Sequence, residues 1–400
     1  MPARAERWLL PAILLGAVGG IAAGAIVGPP MTAVGFIATL FLNALKMTIV
    51  PLVFAAIVSS VCSLGDVRHL GRLGGAALAY YTLTTGIAVG IGLFAVNLLT
   101  PGAGINIDAP ASMAMPEAAS VADILLNIVP DNVLRAAVEL SLIQLIFFAL
   151  LFGAALTTIG ERGHTVVAFF DAINQTMMRI VEWIMWFAPL RIFALIAARI
   201  GEAGGGAAVM AELTAVGRYV MTVLLGLLAH GLVLIGLLML FARRGLGYLQ
   251  SMLRALVTAF GTASSSATLP LTLECATEAG VRRKTAQFVL PLGATVNMDG
   301  TALYEAVAVM FIAQAYGIDL SATEQAIVFV TATLAAVGAA GIPQAGLVTM
   351  LIVLEAVGLP SEGIGLLLAV DWLLDRFRTT VNVWGDSVGA AVLDRLDRNR

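Results

Sequence analysis

Along the last long apolar stretch of the chain run Asp371, Asp375, Arg378, Asn382 and Asp386, spaced 4, 3, 4 and 4 residues apart, with Arg376 and Thr379 among them. At about 100° per residue, that spacing holds all five on one narrow stripe of a helix. The chemistry open to such a stripe is ionic. The planar fork of Arg378 matches a carboxylate guest, and carboxylate and amide oxygens suit a hard alkali cation better than zinc or copper. A second group, Asn297-Met298-Asp299-Gly300-Thr301 followed by Glu305, adds more oxygen. Its Gly and Asn at mid-span predict an unwound helix with backbone carbonyls free to bind a cation. Asp299, Glu305, Asp371, Asp375 and Asp386 against Arg376 and Arg378 leave −3. An apolar interior holds that charge only with bound cations or protons. Thr84 and Thr85, just after Tyr80-Tyr81, are a weaker polar nick, since such hydroxyls often bond back to helix carbonyls.

The chain around these groups has little charge to spare. Of its 400 residues 60% are hydrophobic and 12% charged, with a mean hydropathy of +0.97. Soluble domains run nearer ~25% charged, so the composition describes a polytopic membrane protein partnered by a lipid bilayer. A formal net charge of −3 offers no basic footprint for nucleic acid. Cys62 and Cys275, both in apolar surroundings, read as free thiols. Each charge at mid-membrane costs roughly 2.5–3.5 kcal/mol on an insertion scale. The last helix must therefore turn its stripe inward.

Helical spans need about 20 apolar residues. They are expected near 8–28, 32–63, 73–99, 123–158 (broken), 166–199 and 208–242, with a last helix from about 362 to 392. Arg4 and Arg7 ahead of Trp8–Val27 have the look of a signal peptide, but the length of the run and the spans behind it favour a first transmembrane helix. Past residue 245 the apolar stretches shorten, with interruptions at Ala259–Thr268, Gly293–Gly300 and Gly338–Gly346. Irregular backbone at membrane depth survives only inside protein or beside a water-filled cavity. Segments 250–281 and 323–353 are therefore read as re-entrant hairpins, the first entering from the cytoplasmic side and the second from outside. The basic clusters from Arg4 to Arg400 fit one cytoplasmic side, whereas 101–122 has no Lys or Arg. Both termini then lie inside, with eight crossings. Paired interrupted segments of opposite entry point to a transporter with inverted repeats.

Two rivals remain to be weighed. The Ser264-Ser265-Ser266 run could suggest a hydrolase, but His69, His164 and His230 lie outside the interrupted region and no nucleophile elbow appears. His230 reads as a packed or satisfied helix residue, and the protein as no enzyme. Polar seams also line channels, but two closing hairpins favour alternating access over an open pore.

Four stretches carry a resemblance: Ser264-Ser265-Ser266-Ala267-Thr268-Leu269-Pro270, the run Asn297 to Glu305, Gly341-Ile342-Pro343-Gln344-Ala345-Gly346, and the run Asp375 to Asn382. Together they resemble the dicarboxylate/amino acid:cation symporter family, which includes the excitatory amino acid transporters. The likeness covers nearly the whole chain and is most specific from 260 to 392. It implies an all-α fold of eight transmembrane helices plus two re-entrant helical hairpins, assembled as a homotrimer and working as an elevator. Scaffold helices 1–2 would fill 1–70 and helices 4–5 would fill 101–200. The moving transport domain would take helix 3 from 71–100 and, from 201–400, helix 6, hairpin 1, helix 7, hairpin 2 and helix 8. The implied activity is sodium-coupled symport of L-aspartate or L-glutamate across the cell inner membrane, with no organic cofactor. A C4-dicarboxylate or neutral amino acid carrier is the alternative.

The resemblance also assigns roles. Arg378 would hold the substrate's side-chain carboxylate, Asp375 its amino group and Asn382 its main-chain groups. Thr379 would lie beside the side chain. Ser264, Ser265, Thr301 and Gly341 would complete the substrate site. One sodium site would use Gly293, Asn297, Asn382 and Asp386. A deeper one would use Tyr81, Thr84, Thr85, Asn297 and Asp299. A third, mostly backbone, would use Thr295, Met298, Ala336, Val337 and Ala339. Glu305 matches the proton-carrying glutamate of the excitatory type, with a pairing to Arg376 as the alternative. Arg376 also resembles that type, in which the first hairpin lacks an arginine; here that position is Ala263. Neutral amino acid exchangers lack an arginine at the 378 position.

Overall fold

The computed structural model describes residues 3–63, 71–104, 129–139, 142–202, 207–338 and 345–398. Helix accounts for almost all of them, and no strand occurs among the described residues. In chain order come α1 (Ala3–Val27), α2 (Gly35–Ser63), α3 (Gly71–Leu99), the short α4 (Val133–Val138), α5 (Leu142–Thr158), α6 (His164–Met185), α7 (Ala188–Glu202) and α8 (Ala207–Leu237). The second half holds α9 (Leu246–Thr262), α10 (Ser265–Glu278), α11 (Arg283–Val296), α12 (Asp299–Ala315), α13 (Ala322–Gly338), α14 (Ala345–Ala356) and α15 (Ile364–Arg398). Most of the 101–122 loop lies outside the described residues, as does the 339–344 tip between α13 and α14.

Three helical stretches among the described residues are long and apolar enough to cross a membrane: Arg72–Leu99, Thr214–Ala242 and Arg283–Ala315. Shorter apolar helices accompany them, including Gln144–Thr158 and Ala322–Ala336. Large apolar side chains such as Leu15, Ile26, Phe36, Phe94, Leu228 and Leu240 stand exposed on the outer helices. Those faces want lipid, since a chain in water does not leave so much apolar surface uncovered.

Proline explains one departure from the expected spans. The stretch expected to cross as 166–199 breaks after Met185, and α7 starts at Ala188 with Pro189 in its first turn. Proline has no N–H to give an upstream carbonyl, but it is well tolerated in the first turn of a helix. The chain turns tightly instead, with Trp186 and Phe187 donating to the carbonyls of Trp183 and Ile184 at 3.2 and 3.0 Å. Cys275 is buried and Cys62 half-buried, and both are free thiols.

Two packing groups organise the site. α1 lies along α7, while α2 packs against α5, α6 and α7. In the second half α15 packs against α8, α9, α11 and α12, and α12 also meets α3, α13 and α14. α12 is sheathed on every side: all its residues from Asp299 to Ala313 are buried. A helix with no exposed face must be a central one.

Candidate functional site

The predicted interruption in the seventh span is present. α11 ends at Val296, α12 begins at Asp299, and Asn297 and Met298 between them leave helical geometry, with ψ of 84° and 54°. Two residues of non-helical backbone inside a buried helix turn side chains towards α15 that a straight helix would not. The Asn382 amide bonds to the break and to the first turn of α12: its Oδ1 accepts from the Gly300 N–H at 2.7 Å, and its Nδ2 donates to Thr301 Oγ1 at 3.2 Å and to Met298 Sδ at 3.3 Å.

The stripe on α15 faces inward as its spacing predicts. Asp371, Asp375, Arg378, Thr379, Asn382 and Asp386 are all buried. Arg378 is 1% exposed, with Nη1 on Asp371 Oδ1 and Nε on Asp375 Oδ1, both at 2.9 Å. Its guanidinium carbon lies 4.2 Å from the centre of the Tyr304 ring. Carboxylates on two sides and a ring face fix the plane of the fork, and buried Nη2 has no hydrogen-bond partner. A planar donor held this way is ready for an anionic acceptor.

A cluster of oxygens sits at the break. Asn297 Nδ2 donates to Asp386 Oδ1 at 3.0 Å. Thr85 Oγ1 donates to Asp299 Oδ1 at 2.8 Å, and Thr84 Oγ1 lies 3.3 Å from both that oxygen and Asn297 Oδ1. Tyr81 donates to the Val289 carbonyl at 2.7 Å. Gly293 leaves room here: a Cβ at that position would overlap Asp386 Oδ1 and come within 2.8 Å of Tyr81 Oη. Thr295, half-buried, bonds back to the Leu292 carbonyl at 3.0 Å. Among the described residues no three His, Cys, Asp or Glu side chains gather as a transition-metal set. Amide, hydroxyl and carboxylate oxygens dominate, the donor set of a hard cation.

The first hairpin closes against this core. α9 and α10 join through Ala263, which takes a left-handed φ of 50°, and Ser264, whose side chain caps α10 by accepting from the Ala267 N–H at 3.1 Å. Ser264 and Ser265 are both buried. In the second hairpin Ala336 is buried near the end of α13, and Val337 lies in that helix's last turn. Gly341 and Ala339 lie outside the described residues.

Three arrangements differ from the expectation or add to it. Arg376 does not belong to the interior charge. It is half-buried on another face of α15, donating to the carbonyls of Phe260 and Gly261 at 2.9 and 2.8 Å, where it caps the end of α9. Positions i and i+2 on a helix are turned about 200° from each other, so Arg376 and Arg378 cannot share a stripe. Glu305 is accordingly not paired with Arg376; fully buried, it accepts from Thr349 of α14. His230 is packed in the interior, as its apolar span suggests, but against a site residue: its Nε2 lies 2.9 Å from Asp299 Oδ2, both side chains fully buried, while its Nδ1 has no hydrogen-bond partner. A contact 69 residues apart in sequence leaves no local signal.

The family model described as "Sodium:dicarboxylate symporter family" matches residues 9–396. An excitatory amino acid transporter of Caenorhabditis elegans is 37% identical over 90% of this chain and 80% of its own length. Excitatory amino acid transporter 1 of Ambystoma tigrinum is 38% identical over 90% and 76%. Neutral amino acid transporter B(0) of Bos taurus is 39% identical over 97% and 78%. With the match running almost end to end, the chain belongs to the sodium:dicarboxylate symporter family.

Proposed function

We propose that the protein carries L-aspartate or L-glutamate into the cell, driven by sodium. The observation that carries this reading is the Arg378 fork, buried and fixed between Asp371 and Asp375. An anionic side chain gives the fork a partner, and Asp375 lies within reach of the guest's amino group. Asn382, Thr379 and Thr301 flank the guest, with Ser264 and Ser265 from the first hairpin and Gly341 from the second. Neutral carriers are equally similar in overall identity, so selectivity rests on this one side chain.

Sodium ions fit the oxygen clusters in three sets: Gly293, Asn297, Asn382 and Asp386; Tyr81, Thr84, Thr85, Asn297 and Asp299; and the more backbone-based Thr295, Met298, Ala336, Val337 and Ala339. Bound cations offset the acids that outnumber Arg378 in the interior. Glu305, beside Thr349, is the proton carrier in this reading. The protein works as a homotrimeric elevator in the inner membrane with both termini cytoplasmic. Helices α1, α2 and α4 to α7 form the scaffold, and α3 with α8 to α15 form the moving part.

Uptake of labelled aspartate into proteoliposomes, with gradients imposed one at a time, tests the reading. Accumulation should require inward sodium. Equal uptake with choline and no proton gradient overturns symport. Stronger competition by succinate or malate than by either acidic amino acid makes it a dicarboxylate carrier, and steady ion flux without accumulation makes it a channel.

A further inference from the structure

Arg191 belongs to none of the sets above. It lies on α7, only 2% exposed, its guanidinium carbon 4.3 Å from the centre of the Phe41 ring on α2. Its Nε and Nη2 are buried and make no hydrogen bond. Asp371 of α15 lies near enough for its charge to favour the guanidinium, although the two form no direct ion pair. Asp371 spends Oδ1 on Arg378, while its Oδ2 is buried and unpartnered. The backbone brings their helices together: Trp372, next to Asp371, packs onto the cluster formed by α2, α6 and α7, which includes Ile192, next to Arg191. Upstream on α15, a Cβ at Gly365 would meet Leu195 of α7 at 3.6 Å. A buried guanidinium with spare N–H groups and a buried carboxylate with a spare oxygen are each costly alone and complementary together.

We infer that Arg191 is a positioning residue that balances Asp371 across the junction of α7 and α15 and so leaves the Arg378 fork free for an anionic guest. The argument is one of charge. Arg378 between two carboxylates forms a set with net negative charge, which opposes an arriving carboxylate. Counting Arg191, the four side chains sum to zero, and the guest meets a neutral set instead. α7 and α15 sit in different packing groups and meet only along a short edge, so this balance belongs to one relative placement of the two. The selectivity part of the inference rests on the reading of Arg378 as a carboxylate partner; the pairing itself does not.

The experiment uses purified full-length protein in sodium. Binding of L-aspartate and the midpoint of thermal unfolding without amino acid are measured for wild type, Arg191→Met, Arg191→Lys, Asp371→Asn and the Arg191→Met/Asp371→Asn double variant. Arg191→Met should weaken aspartate binding about tenfold or more. Arg191→Lys should recover most of that, and Arg191→Met should add little once Asp371 is Asn. Unfolding midpoints should show the same non-additivity. An equal cost of Arg191→Met in both backgrounds, or a Lys variant as weak as the Met variant, overturns the inference and leaves Arg191 as packing over Phe41. Should Asp371→Asn fail to fold, the contrast between Lys and Met decides. If wild type binds no acidic amino acid yet the midpoints remain coupled, the proposed substrate falls and the pairing stands.

Discussion

The face where α1 meets α7 and the interior where α11, α12 and α15 meet are built from similar small and apolar residues, with different results. At the first, Gly24 lets two intact helices close on each other: a Cβ there would stand 2.7 Å from Ile200 Cβ and 2.9 Å from the Ala197 carbonyl. Backbone approaches backbone, as small residues allow between helices in lipid. At the second, Gly293 makes room for side-chain oxygens of Asp386 and Tyr81, one turn before the helix itself opens. What a glycine accommodates, rather than its presence in an apolar helix, separates packing from chemistry.

Substitutions in the two regions should therefore fail in different ways. The largest effect is expected at the charged end of the interior. Arg378→Cys removes the cation held between Asp371 and Asp375, so aspartate binding should fall by about 3–5 kcal/mol, and serine, alanine or cysteine should bind instead. Aspartate affinity within about threefold of wild type, measured by sodium-dependent binding to purified protein, would remove Arg378 from its role. Next comes Gly293→Ala, which forces a methyl group among oxygens. Steric cost of about 1–3 kcal/mol should appear as a higher sodium requirement for substrate binding. An unchanged sodium titration breaks the distinction drawn between the two glycines.

Gly24→Ala is the control for that distinction. A comparable crowding of about 1–3 kcal/mol should lower the unfolding midpoint while leaving the sodium titration of the folded fraction in place. A shifted titration would show that the α1–α7 face communicates with the site. The smallest change is expected from Glu305→Gln, whose amide can still accept from Thr349. Sodium-dependent binding should persist, and uptake should lose its pH dependence between about 6 and 8. Retention of the wild-type pH profile would send the proton elsewhere.

Much of this was legible from spacing. The 4, 3, 4, 4 stripe on the last helix, the break at Asn297 and the serine turn between α9 and α10 all follow from local chemistry. Neighbours in sequence are not always neighbours in space. Arg376 stands two residues from Arg378, and helical geometry alone sends it to another face. The break after Met185 is marked in the sequence by Pro189. Contacts across long stretches of chain left no trace: His230 on Asp299 and Thr349 on Glu305 join elements whose proximity only folding decides.

α12 has a consequence for how such a protein can drift. From Asp299 to Ala313 every side chain is buried, so none of its positions can trade volume against lipid as those of α1 can. Leucine for phenylalanine on an outer helix changes only what the bilayer touches; on α12 it must be answered by a matching change on α3, α8, α13, α14 or α15. In a saturation library this helix should therefore accept single substitutions least readily and recover mainly through compensating pairs. Its neighbours are the record of what it has been allowed to become.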